Sequence, residues 1–314
     1  MKTLIFQLES VSAFGTPPRG DQIFGQLCYL ACELWGPERL QQLLQNYLAG
    51  RPWLVVSDFF PSGYLPRPAL PAYLLSKDEA VVERKKWKSQ IWLPLRAFLR
   101  PPAAWLEQAK ASAELHWQFG HIQARNQIDR RTQATGEDFA PFGQMRYWND
   151  HSCPMDVYCV FDDALVSPRD LEALLSALGQ TGFGRDANVG LGKFNVVSAS
   201  SAPWPGNASG SSWLALSPCA PQGAVDWDSE RCFYQLLHRF GRHGYSPGLD
   251  SPFKAPLLLA AAGAVLTPRL MSAAQFFTGR GLGGESRPIS RARPSTVHQG
   301  YAPVLPFMFP EGVA

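Results

Sequence analysis

Residues 155–197 read MDVYCVFDDALVSPRDLEALLSALGQTGFGRDANVGLGKFNVV, and the fold turns on this stretch. Met155 to Phe161 is a β-prone apolar run and predicts a strand. Pro168 to Leu178 predicts a helix with Ser167 at its N-cap, because a serine hydroxyl can accept from the first free amides of a helix. Leu191 to Val197 predicts a second strand, and the glycine-rich segment 179–192 joins helix to strand. That order excludes two common phosphate sites. Nucleotide-binding P-loops and dinucleotide fingerprints both run from a strand through a glycine-rich turn into a helix, the reverse of what is seen here.

Working outward, Thr3 to Leu8 (TLIFQL) predicts a first strand. A Pro/Gly turn over Gly15 to Gly20 leads into a helix from Asp21 to Trp35, with Asp21 as N-cap and Ile23, Phe24, Leu27, Leu30, Ala31 and Leu34 at helical spacing. A second helical run follows over Glu38 to Leu48, and Leu54 to Asp58 predicts a strand. The prolines between Pro61 and Pro71 predict an extended surface segment. Lys77 to Lys88 (KDEAVVERKKWK) predicts a solvated charged helix face, with Lys85, Lys86 and Lys88 as minor RNA candidates. Trp117 to Trp148 is polar, lacks a sustained apolar period and reads as part of an insertion over about 61–148.

The first 200 residues therefore give the βαββαβ order of a ferredoxin-like (RRM-like) domain, within an α+β class. Ser198 to Ser212 reads as a linker. Residues 201–314 predict a second, degenerate ferredoxin-like unit: a strand near Trp213 to Leu216, a helix over Ser229 to Phe240, a strand from Pro256 to Leu266 and a last strand near Tyr301 to Phe307.

Composition sets bounds on function. Of 314 residues, 46% are hydrophobic and 18% charged, the balance of a globular chain with a real core. A net charge of +3 makes any nucleic-acid surface a local patch. The six cysteines form no CxxC pair and no zinc spacing, so they predict free thiols in a reducing cytoplasm. The apolar runs at the N-terminus and over Leu257 to Leu266 are short of a signal peptide core and of a membrane span. No GxSxG elbow, HExxH helix or HD-type metal pattern occurs, and His116, His121, His151, His238, His243 and His298 show no spacing specific to catalysis.

Three segments carry candidate binding chemistry. Gly182, Gly184, Gly190 and Gly192, with Arg185, Asn188 and Lys193, would present backbone amides and two cations to an anion; the same glycines would equally serve a tight helix-to-strand connection. Residues 121–137, with Arg125, Asn126, Arg130 and Arg131, suit a protruding arm that meets phosphates and base edges, or an ordinary solvated loop paired to Asp129, Glu137 and Asp138. Thr278 to Tyr301 holds Arg280, Arg287, Arg291 and Arg293 against Glu285 alone, which suits a flexible basic loop for single-stranded RNA or, equally, a disordered basic loop.

Taken together, the segments GDQIFGQLCYLACELWG, SDFFPSGYLPRPALP, RNQIDRRTQATGE, TGFGRDANVGLGKF and VHQGYAPVLPF resemble the Cas-five group of the RAMP superfamily. More narrowly, they resemble the family of subunit four of the type III-A CRISPR Csm complex. The resemblance implies an RNA-binding, non-catalytic scaffold of two ferredoxin-like domains with a thumb-like arm. It would hold the repeat-derived 5′ tag of the crRNA and dock the large Cas-ten subunit on one side and a RAMP backbone subunit on the other. Target RNA would be met only indirectly, and no cofactor, metal or membrane is implied. By the same resemblance Arg125, Asn126 and Arg130 belong to the thumb, Gly182 to Lys193 to the tag path, and His298, Gln299 and Tyr301 to the C-terminal family string. An endoribonuclease of the same superfamily, with His121 or His151 as general base, is the alternative, as is the equivalent subunit of another type III subtype.

Overall fold

In a computed structural model, the structure describes residues 1–75, 84–135, 140–150, 152–201, 204–207, 209–223, 225–244, 251–271 and 275–310. The chain opens with β1 (Lys2–Ser10), α1 (Gly20–Trp35), α2 (Pro37–Leu44), β2 (Leu54–Val56) and β3 (Phe60–Pro61). Next come β4 (Tyr64–Pro66), α3 (Arg84–Ser89), β5 (Trp92–Pro94), α4 (Leu95–Phe98) and α5 (Trp105–Gln108). A long hairpin, β6 (Phe119–Arg125) and β7 (Phe142–Trp148), precedes β8 (Met155–Phe161), α6 (Pro168–Thr181) and β9 (Phe194–Ser200). Among its described residues the C-terminal part is strand and turn: β10 (Ser212–Ala215), β11 (Leu236–Arg239), β12 (Leu257–Ala260), β13 (Val265–Leu266), β14 (Phe277–Gly283) and β15 (Val297–Phe307). No helix among the described residues is long and apolar enough to cross a membrane.

The first sheet runs in the order β2-β8-β1-β9, all antiparallel, with β3 also on β8. Every residue of β8 is buried, as a central strand covered on both faces requires. Ser167 caps α6 as the sequence predicts, its hydroxyl accepting from Asp170 N–H at 3.2 Å while Asp170 accepts in return from Ser167 N–H at 2.8 Å. A second sheet, β13-β10-β15-β14, meets the first through β15. One apolar core runs through both, from Leu4, Phe6 and Leu8 to Leu214, Tyr301, Leu305 and Phe307.

The junction is polar as well as apolar. The Gln299 side chain donates to Val56 O at 2.8 Å and accepts from Val56 N–H at 3.0 Å, so its amide stands in for a neighbouring strand at the edge of β2. Tyr301 Oη donates to Tyr47 O at 2.6 Å beneath an edge-on contact of the two rings. Asp21 accepts from Arg239 Nε at 2.6 Å and Nη2 at 2.8 Å, and lies 3.1 Å from His298 Nε2.

Several expectations need correction. Ser229 to Phe240 is not a helix: a short 3-10 turn at Ser229–Arg231, capped by Asp228, leads into β11. The apolar residues there fit either period, and pairing with β12 selects the strand, burying Arg239 while Leu236, His238 and Phe240 face outward. Asp21 is not an N-cap; Arg19 occupies that place, and Asp58 accepts the Gly20 N–H at 2.7 Å. The proline segment 61–71 is not a surface strip, since Leu65, Pro66, Pro68 and Leu70 are buried and β4 pairs with β5. Thr278 to Tyr301 begins and ends in the paired strands β14 and β15, and Arg287, Arg291 and Arg293 lie in the connection 284–296 between them. The expected strand Pro256 to Leu266 is split at Gly263, whose φ of +89° breaks the extended run. The second helical run ends at Leu44, with Tyr47–Ala49 as a separate 3-10 turn. The supposed linker is pinned at Trp204, whose Nε1 donates to Val304 O at 2.9 Å. Of the charged segment 77–88, residues 77–83 lie outside the described residues, as do Glu137, Asp138 and His151.

Candidate nucleic-acid interface

The polar insertion is a two-stranded hairpin. Its pairs Phe119–Trp148, His121–Arg146, Gln123–Gln144 and Arg125–Phe142 share one face, because directly opposed residues of an antiparallel pair point the same way. Aromatic rings therefore interleave with guanidinium, imidazole and amide groups along one ribbon. On this face Gln123 Oε1, Gln144 Oε1 and Arg146 Nε are shielded from solvent and have no hydrogen-bond partner among the described residues. Asn126, Arg130 and Arg131 lie exposed beyond the end of β6, the two arginines in a turn closed by the Asp129–Ala134 bridge and by Asp129 accepting from Arg131 N–H at 2.8 Å.

The hairpin is fastened at its base and along its length. Phe14 and Tyr147 exchange backbone hydrogen bonds at 2.8 and 2.9 Å. Arg185 Nη2 donates to Met145 O at 2.7 Å, and Gln144 Nε2 donates to the Asp186 carboxylate. The arm and the glycine-rich loop, read separately in the sequence, thus form one surface.

Within that loop Gly182 ends α6, Phe183 is fully buried as the anchor, and Asp186 and Gly190 hold left-handed conformations around a single 3-10 turn, Ala187–Val189. Gly192 has φ +71°, and a Cβ there would fall 2.1 Å from Phe183 O, so only glycine fits without backbone movement. Many of the loop's amides are engaged within the protein. The N–H groups of Gly182, Phe183, Arg185 and Val189 to Lys193 all donate within the protein, to Leu178, Gly192, Thr16, Asp186, Ala187, Asp186, Ala13 and Ser12 respectively. Of the polar side chains here, Asn188 and Arg185 are exposed and Lys193 is half-buried.

Arg125, Asn126, Arg130 and Arg131 lie on the hairpin, and Gly182, Gly184, Arg185, Asn188, Gly190, Gly192 and Lys193 on the loop joined to it through Arg185 and Asp186. The structure does not bring His298, Gln299 or Tyr301 there. These three are buried at the junction of the sheets, with their polar groups engaged by Asp21, Val56 and Tyr47. Sequence reading missed Phe119, Gln144, Trp148 and Asp186; the aromatic and amide residues at matched distances from the hairpin turn were the available signal.

No protein-family model matches the chain, and no curated protein matches its sequence. Its fold is nevertheless shared, over the whole length, with chains from solved complexes. A chain of a Csm1-Csm4 cassette in complex with pppApA aligns with a TM-score of 0.62 at 15% identity, covering 99% of this chain and 100% of that one. A Csm1-Csm4 cassette in complex with cA4 gives 0.61 at 17% identity with the same coverage. A Csm3-Csm4 subcomplex of the type III-A CRISPR-Cas interference complex gives 0.57 at 13% identity, covering 98% and 99%. The component common to both kinds of assembly is Csm4, and the fold is Csm4-like.

Proposed function

We propose that this chain is a non-catalytic capping subunit of a type III CRISPR effector, and that it holds the repeat-derived 5′ tag of a crRNA along the hairpin and glycine-rich loop. The large Cas-ten subunit and a RAMP backbone subunit are the protein partners in this reading, target RNA is met through the crRNA, and the setting is the cytoplasm. Taking β1, β2, β8 and β9 as the four strands of a βαββαβ unit, the sheet order β2-β8-β1-β9 supports a ferredoxin-like first domain. A second, degenerate copy over 201–314 is part of the proposal.

The observation that carries the reading is the seating of the hairpin on the glycine-rich loop through Arg185 and Asp186. It aligns cations, amides and exposed aromatic edges along one ribbon, the combination that grips single-stranded RNA by phosphate contact and base stacking. The test is to purify the tagged chain from its native host, sequence the 5′ ends of the RNA it retains and identify the proteins that accompany it. Uniform repeat-derived 5′ ends with a Cas-ten partner are expected. Free protein, or repeat RNA cleaved by the purified chain without metal, would overturn the assignment.

A further inference from the structure

We infer that the chain carries a second surface for single-stranded RNA, formed by Arg287, Arg291 and Arg293 of the β14–β15 loop together with Phe240, Arg242 and Phe253. This goes beyond the hairpin surface and does not depend on it. The glycine-rich loop feeds β9, one edge of the first sheet, whereas β15 reaches that sheet at β2, the opposite edge, through Gln299.

The loop carrying the arginines is held in shape. Gly284 N–H donates to Thr296 O at 2.9 Å, Arg287 N–H to Gly284 O at 3.2 Å, and Thr296 N–H to Arg293 O at 3.0 Å. It is also tied to the segment bearing the two phenylalanines. Ala255 N–H donates to Ile289 O at 2.7 Å, and His243 Nε2 lies 2.7 Å from the buried Ser290 hydroxyl, which accepts from Arg293 N–H at 3.1 Å. Arg242 and Phe253 bridge across the same segment, with the guanidinium 5.9 Å from the ring centre.

The chemistry of this surface is unspent. Phe240 and Phe253 are 75% and 67% exposed, so among the described residues both rings leave most of their surface to solvent, Phe253 with Arg242 beside it. Arg242, Arg287, Arg291 and Arg293 are exposed, and among the described residues none has a carboxylate within ion-pair distance. The field there is positive enough to be felt locally: partial burial, then the charges of Lys254 and Arg293, hold the His243 imidazole below its ordinary value. Arginines for phosphates beside rings for bases is the pairing that single-stranded nucleic acid needs, and a preorganised loop lowers the entropy lost on binding. A cluster this basic on a chain of net charge +3 is a local feature.

The experiment is ultraviolet crosslinking of the full-length chain to a uridine-rich single-stranded RNA, with the crosslinked residues mapped by mass spectrometry. Crosslinks at Phe240 or Phe253 are expected in addition to those at the hairpin. The triple variant R287Q/R291Q/R293Q should lose them and lower the slope of log affinity against log salt by up to about 2, from about 0.7 per phosphate contact. Phe253→Leu, an exposed change that leaves the fold intact, should weaken binding about tenfold in a background where Arg125, Arg130, Arg131 and Lys193 of the first surface are all replaced by Gln. Crosslinks confined to the hairpin and glycine-rich loop would overturn the inference while leaving the proposed function standing. So would equal competition by polyglutamate, which would mark the patch as a seat for an acidic protein. Failure at the hairpin with crosslinks retained at Phe253 would do the reverse.

Discussion

The carboxylate of Asp21, at the start of α1, is gripped at both oxygens by the guanidinium of Arg239, at the end of β11, at 2.6 and 2.8 Å. The Asp21 side chain has no solvent exposure and the Arg239 side chain has 11%. Burial pushes the Asp21 carboxyl up, but the His298 hydrogen bond and the charges of His298 and Arg239 together bring it below its ordinary value. Removing one partner of such a pair strands the other in a medium that cannot solvate it. Asp21→Asn is therefore expected to destabilise the chain by about 3–5 kcal/mol in urea unfolding. Arg239→Met, which removes charge but keeps bulk, should cost similarly because Asp21 is left buried. A loss below about 1 kcal/mol in both would show that the pair is not what joins β11 to α1.

That pair also shows where sequence reading stops. The helix bearing Asp21 was legible from apolar spacing, as were β1, β8 and the serine-capped α6, because each is fixed by local period and capping. The partner of Asp21 lies 218 residues away, and no local pattern marks it. The same holds for β11, where Leu236, Leu237 and Phe240 satisfy either a helix or a strand until β12 is placed beside them. At the candidate interface, the arginine-rich arm and the glycine-rich loop were visible as composition. Their contact through Arg185 and Met145 was not, since it depends on the register of the hairpin.

Asp58 predicts a distinct dependence on pH. Burial, reinforced by the nearby Asp21 charge, raises its carboxyl from 3.8 to about 7, even though the Gly20 N–H bond and the Arg19 and Arg239 charges act to lower it. Between these values the folded state holds a proton that the unfolded state has released, so this group's contribution to stability falls as pH rises from about 4 to about 7. Asp58→Asn keeps an oxygen for the Gly20 N–H and removes the ionisation. The variant should gain on the native chain by an increment that grows from pH 5 to pH 8 in urea unfolding, on the order of 1 kcal/mol or more. A difference that does not vary with pH would refute the titration.

Gly190 and Gly192 separate conformational strain from collision. Both have positive φ, +95° and +71°, but a Cβ at 190 meets nothing within 4 Å, whereas one at 192 meets Phe183 O at 2.1 Å and Phe183 N at 2.5 Å. Gly190→Ala should cost about 1–2 kcal/mol, the strain of a left-handed residue alone. Gly192→Ala should cost clearly more and unseat Phe183, because backbone and not a flexible side chain blocks the way. Thermal unfolding of the two variants in parallel reads the difference directly, and equal losses would contradict the packing described for the loop.

Arg185 and Lys193 carry different duties on the same surface, and their substitutions should part company. The Arg185 guanidinium is committed to Met145 O at 2.7 Å and lies 3.6 Å from Asp186, so it holds the hairpin while offering its remaining donors to an anion. Lys193 fixes the chain through its backbone, to Ser12 and Val11, and leaves its ammonium unpaired among the described residues. With repeat-derived RNA as ligand, Lys193→Gln is expected to lower the salt slope by about 0.7, the value for one phosphate contact on a single strand, with no change in hydrogen exchange. Arg185→Gln should lower the slope and also speed exchange at the β7 amides, since the hairpin loses a tether. If neither substitution moves the slope, the glycine-rich loop does not touch phosphate; if Arg185→Gln speeds exchange without altering the slope, its role is to position the arm alone.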